Sequence, residues 1–233
     1  MTDAVLARIQ YYGNRLLAAP LFGFRVKGAE RVPRRGGLII VCNHISELDP
    51  PILGFAIPRN VAFMAKIELF RSRMASFFMN ELKAFPVNRS GTDTGAVRKT
   101  LDLLKQGMAV VIFPEGTRSR DGRLLPVKPG IGLIAAASGA PVMPTFIWGT
   151  DHPADALLRR GDRFSVHFGE LITAGKLREM KRENGTRGVA SGIMSSIERL
   201  GIEAGLYTRH SVGTVTDTNH DRNRNKERTN SDG

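Results

Sequence analysis

Short apolar runs rich in valine, isoleucine and phenylalanine recur along this 233-residue chain and alternate with longer stretches of helical character. They are Leu38 to Cys42, Val61 to Met64, Ala109 to Phe113, Val142 to Trp148 and Phe164 to Phe168. A strand covered on both faces reads as a continuous apolar run, and the helices between such strands are the crossovers that parallel pairing needs. The alternation therefore predicts an α/β fold, a single domain with a mostly parallel mixed sheet covered by helices. At 42% hydrophobic residues the chain can bury one substantial core.

Thr92 to Gln106 is the clearest helix, with Val97, Leu101 and Leu104 on one stripe and Gly107 just past its end. Another is expected from about Arg187 to Leu200. Before Pro20, Val5, Ile9, Tyr12 and Leu16 recur at helical spacing with Arg8 and Arg15 among them, which predicts a short amphipathic N-terminal helix over residues 1–20. It either lies in a membrane interface or packs on its own domain. Leu69 to Met79 presents the same choice, with Phe70, Phe77 and Phe78 beside Arg71 and Arg73. From His210 the chain is dense in Thr, Asn, Asp and Arg and nearly devoid of large apolar side chains, so it cannot offset its ordering entropy. The expected division is residues 1–20 as the helix, 21–207 as the folded domain and 208–233 as a disordered polar tail.

The formal net charge is +12, which admits nucleic acid, an anionic bilayer or an acidic small substrate as partner. No helix-turn-helix, RNP-like or zinc pattern is present, and aromatics make up only 7%, so nucleic acid is not expected. Cys42 is the only cysteine, which excludes an internal disulfide and a cysteine-based zinc cluster. The histidines are scattered and form no HExxH helix, so no metal site is expected. There is no Walker A sequence and no GxSxG; GIGLIA at Gly130 to Ala135 matches GxGxxA but follows LLPVKP, and is better read as a helix with glycines for close packing. Neither an apolar run of spanning length nor a secretory leader is seen, so a cytosolic or peripheral protein is expected.

Chemistry-bearing residues gather where the strands end, which is where ligands bind in open α/β sheets. VCNHISELDPP, Val41 to Pro51, places His44 and Asp49 five residues apart. A turning chain brings the carboxylate to one imidazole nitrogen and leaves the other to take a proton. VVIFPEGTRSRDG, Val110 to Gly122, ends a buried-type strand; Gly116 permits close backbone approach and Arg118 offers a planar donor fork suited to phosphate. AFPVNRSG, Ala84 to Gly91, puts Arg89 at a further strand end, and Lys66 and Lys128 are additional candidates for anion contact. Taken singly, each of these cations reads more readily as a solvated surface charge than as a ligand.

Together, NHISELDP, FPVNR, FPEGTRS and the later APVMPTFI resemble the four ordered blocks of the glycerolipid acyltransferase family, most similar to the 1-acylglycerol-3-phosphate acyltransferases. The resemblance runs from about Phe22 to Gly169. It implies an acyl-CoA or acyl-carrier-protein donor, a lysophospholipid acceptor, no cofactor, and a peripheral position on the cytoplasmic face of an anionic membrane. It also implies His44 and Asp49 as the catalytic dyad. Acceptor binding then falls to Arg89 and to Glu115, Gly116, Thr117 and Arg118, with Asn43, Ser46, Lys66 and Lys128 beside them. The second block departs from the pattern, reading AFPVNR where many members carry a glycine and isoleucines before the arginine. Acceptor identity is thereby left open between 1-acylglycerol 3-phosphate, another lysophospholipid, glycerol 3-phosphate and an amino-acid lipid.

Overall fold

A computed structural model describes residues 24–66, 84–87, 94–151 and 164–207, with side chains except at 65–66 and 84–87. Among the described residues seven strands form one sheet: β1 (Arg25–Lys27), β2 (Leu38–Cys42), β3 (Val61–Lys66), β4 (Ala84–Val87), β5 (Ala109–Ile112), β6 (Val142–Trp148) and β7 (Ser165–Phe168). The spatial order is β1-β7-β6-β2-β5-β3-β4, and every pairing is parallel except β6 with β7. The five apolar runs are all strands, with ends shifted by at most two residues. The edge strand β4 is the one expected ahead of Arg89, and the other edge strand, β1, adds one more.

β2 lies in the middle, paired with β5 on one side and β6 on the other, and all of its residues are buried. Its side chains alternate between two cores. Ile39 and Val41 face α2 (Thr94–Lys105), α3 (Pro129–Ser138) and α4 (Ala174–Glu203) through Leu104, Ile131, Ile134, Ile193 and Ile197. Leu38, Ile40 and Cys42 face α1 (Asp49–Ala56) through Leu53 and Ala56, together with Val32 from the turn after β1. Coverage of both faces explains why these strands are unbroken apolar runs in the sequence.

Pro144 sits inside β6 without breaking it. Its carbonyl accepts from Gly169 N–H (2.9 Å), and the β6–β7 ladder begins only at Thr145. A residue's N–H and C=O point to the same side of a strand, so the missing donor falls just past the end of β7.

The expected 92–106 helix is α2, but its buried stripe is Ala96, Thr100 and Leu104, with Val97 alongside and Leu101 only half-buried. Thr100 is tolerated there because its hydroxyl donates to Ala96 O at 2.8 Å. GIGLIA is a helix, α3, and one of its two glycines serves packing: a Cβ on Gly132 would lie 2.0 Å from Thr186 O of α4, whereas one on Gly130 would meet nothing within 4 Å. α4 begins well before Arg187, capped by Thr173, and is interrupted at Gly185 (φ 63°, ψ −169°). The expected 187–200 helix is its second half. α1 was not foreseen as a helix, although Pro50 and Pro51 in its first turn are the usual helix-starting signal. The N-terminal segment 1–20, Leu69 to Met79 and the tail 208–233 lie outside the described residues.

Candidate active site

The carboxyl ends of β2, β5 and β6 lie side by side, and each delivers a polar loop to one place. β2 passes directly into Asn43, whose side-chain oxygen accepts from Ile147 N–H (2.8 Å) and whose amide donates to Ile147 O (2.9 Å). This buried two-point clasp ties the loop to β6. Asn43, expected at the substrate, has its side chain committed to holding that loop.

The clasp presents His44. Its Nδ1 lies 2.8 Å from Asp49 Oδ2, and its ring lies on Phe113 with centroids 4.0 Å apart and planes inclined by 18°. The backbone is held at both ends, since His44 N–H donates to Glu115 Oε1 (3.0 Å) and His44 O accepts from Ser119 N–H (2.8 Å). Ring, amide and carbonyl are thus each anchored by a different residue.

Asp49 is fully buried at the start of α1. Oδ2 also accepts from Ile45 N–H (2.7 Å) and Ser46 N–H (2.9 Å), while Oδ1 accepts the Thr150 hydroxyl. A carboxylate facing Nδ1 places the proton there, which leaves Nε2 with the lone pair of a base. Ser46 shapes this turn a second time, its hydroxyl accepting from Leu48 N–H at 3.2 Å.

From β5 comes Phe113 and then Pro114 to Arg118. Glu115 is buried, and its two oxygens accept from His44 N–H and from Leu125 N–H (2.9 Å). Burial pushes its pKa up to about 7; the two N–H donors pull it down and the nearby Asp49 charge adds a smaller upward push. Cys42 below is likewise pushed up, by burial first and then by the charges of Asp49 and Glu115. Glu115 therefore joins the His44 loop to the 123–128 segment, a task the sequence reading did not assign to it.

Gly116 adopts φ 71° and its N–H donates to Phe113 O (3.1 Å), closing a tight turn that leaves Thr117 and Arg118 exposed. Arg118 pairs with Glu47 of the β2 loop at 3.0 Å, both side chains about half or more exposed. Lys128 precedes α3; its N–H donates to Pro114 O (2.8 Å), and a Cβ on Gly116 would lie 3.3 Å from its Cγ. The exposed cations Arg118 and Lys128 thus flank the turn beside the dyad. Arg89 and the side chain of Lys66 lie outside the described residues.

Two participants escaped the sequence reading. Phe113, under the imidazole, is the first residue of the FPEGTRS block, but the sequence gives it no role. Thr150 follows Gly149 (φ 82°) just beyond β6 and belongs to no motif block. Among the described residues no helix is long and apolar enough to cross a membrane, and no three His, Cys, Asp or Glu gather as a metal-binding group.

Comparison with known proteins identifies the family. The "1-acyl-sn-glycerol-3-phosphate acyltransferase" of Bacillus subtilis is 35% identical over 151 residues, covering 64% of this chain and 74% of that protein. The protein of the same name from Borreliella burgdorferi is 28% identical over 181 residues, covering 76% of this chain and 72% of its own. The crystal structure of the 1-acyl-sn-glycerophosphate (LPA) acyltransferase PlsC from Thermotoga maritima superposes with a TM-score of 0.56 at 28% identity, over 78% of each chain. Residues 23–148, which hold the dyad, the Glu115 turn and all but the last two strand-end residues of the site, match the Acyltransferase family profile, and the chain belongs to that family.

Proposed function

We propose that this enzyme transfers a fatty acyl group from acyl-CoA or acyl-carrier protein to the free hydroxyl of 1-acylglycerol 3-phosphate, giving phosphatidic acid and a free thiol. The observation that carries the reading is the His44 Nδ1 to Asp49 Oδ2 contact of 2.8 Å at the joint carboxyl end of β2, β5 and β6.

His44 Nε2 removes the proton of the acceptor hydroxyl while the oxygen attacks the thioester carbonyl. Asp49 stabilises the imidazolium so formed. The tetrahedral intermediate collapses with cleavage of the C–S bond, and the proton held on Nε2 passes to the departing thiolate. General-base catalysis contributes about 10²- to 10⁴-fold, and positioning of the two substrates supplies much of the remainder. The step uses no metal, cofactor or protein nucleophile.

Acceptor phosphate is recognised by Arg118 and Lys128 beside the Gly116 turn, and the family resemblance adds Arg89 to acceptor binding, with Lys66 a further candidate. Arg118 is the best suited, because its planar fork engages two phosphate oxygens at once. The relatives named for 1-acyl-sn-glycerol 3-phosphate favour that acceptor over glycerol 3-phosphate or another lysophospholipid. The enzyme works at the cytoplasmic face of an anionic membrane, attached peripherally through the amphipathic N-terminal segment and its basic surface.

Purified protein assayed against lysophosphatidate, glycerol 3-phosphate and other lysophospholipids, each with acyl-CoA and acyl-carrier-protein donors, tests the reaction. Turnover confined to glycerol 3-phosphate would replace the proposed acceptor, and no acyl transfer to any of them would end the reading. Flotation on anionic liposomes at low and high salt, with and without residues 1–19, tests attachment; unchanged binding after truncation removes the first helix from the account.

A further inference from the structure

We infer that Thr150 is a positioning residue of the catalytic dyad, acting on His44 only through Asp49. The inference rests on the dyad reading above and goes beyond the motif residues, since Thr150 lies past residue 148, where the family match ends.

The carboxylate of Asp49 is fully buried, so each of its oxygens needs a donor from the protein. Oδ2 is supplied by the local turn, from His44 Nδ1, Ile45 N–H and Ser46 N–H. Oδ1 has no local donor among the described contacts; the Thr150 hydroxyl, 101 residues away, meets it. Thr150 is itself fully buried, and Gly149 at φ 82° turns the chain leaving β6 back over the end of β2. The parallel β2–β6 pairing, with Cys42 opposite Thr145, and the Asn43 clasp on Ile147 hold the two strand ends in this relation.

A carboxylate held at one oxygen can swing about its Cβ–Cγ bond. Held at both, it keeps Oδ2 in line with His44 Nδ1 and the imidazole pointed at substrate. Thr150, fully buried against Asp49, sets the orientation of the group that orients the base.

The test is steady-state kinetics of Thr150→Val, Thr150→Ala and Thr150→Ser, with His44→Ala beside them and thermal melting to establish folding. Val keeps the shape of Thr without the hydroxyl, and Ala serves if the Val variant does not fold. Loss of one hydrogen bond to a charged group predicts a kcat about 10- to 100-fold lower with both KM values within about twofold of wild type, and Ser restores most of it. In the Asp49→Asn background the same substitution has little further effect, because Thr150 acts through that carboxylate. A folded Thr150→Val or Thr150→Ala enzyme with normal kcat, a Ser variant no better than either, or an undiminished effect in the Asp49→Asn background would overturn the role. Turnover by folded His44→Ala would instead overturn the dyad, and this role with it.

Discussion

Nδ1 of His44 lies 2.8 Å from Oδ2 of Asp49, and that same oxygen also accepts the amides of Ile45 and Ser46. One atom therefore shapes the loop and sets the tautomer of the imidazole. His44→Ala should abolish acyl transfer, by roughly 10²- to 10⁴-fold or more, without unfolding the protein, because the ring is at the rim of the core and its backbone contacts remain. Asp49→Asn should lose activity on a similar scale through a mis-set tautomer. Single-turnover assays with circular dichroism as the folding control measure both.

Glu115 predicts a pH signature in stability. Its carboxyl is raised from the ordinary value near 4.5 to about 7. Between those values the folded state holds a proton that the unfolded state has released. Stability should therefore fall as pH rises from about 4.5 to about 7 and then level off, a change on the order of 3 kcal/mol from this group. Glu115→Gln should remove that slope while weakening one of the two loop contacts. Urea melts at several pH values compare the two proteins, and an identical slope in both would refute the assignment.

Arg118 is paired with Glu47 at 3.0 Å, so a phosphate must compete for its fork. Glu47→Gln should lower the acceptor KM, by about twofold, since an exposed ion pair contributes only up to about 1 kcal/mol. Arg118→Lys should raise the acceptor KM more than the donor KM, because charge is kept but the fork is lost. Wild-type KM values for lysophosphatidate in both variants would withdraw the phosphate assignment.

At the opposite end of the sheet Arg59 donates to Pro33 O (2.8 Å), Gly36 O (2.9 Å) and Gly107 O (2.8 Å), joining the segments that lead into β2, β3 and β5. Partial burial lowers its pKa from the usual arginine value. Arg59→Ala should cost about 2–4 kcal/mol by leaving these carbonyls without their donor, while KM and kcat at low temperature stay unchanged. Chemical denaturation and a kinetic assay below ambient temperature separate the two effects.

The strands were legible because burial on both faces makes a local stretch uniformly apolar, and such a run needs no knowledge of its neighbours. The His44 and Asp49 pair was legible because both residues lie within one turn. Helix faces were less so: Thr100 is buried in place of Leu101 because its hydroxyl finds the Ala96 carbonyl, a contact hydropathy does not register. The support of the site was not legible at all. Glu115 reaches His44 across 71 residues and Thr150 reaches Asp49 across 101. Those meetings are decided by the order β6-β2-β5, which sets three strand ends side by side. The residue types that carry the chemistry are a property of local sequence. Which distant donors hold them follows from strand neighbours, and those are chosen by the packing of the whole chain.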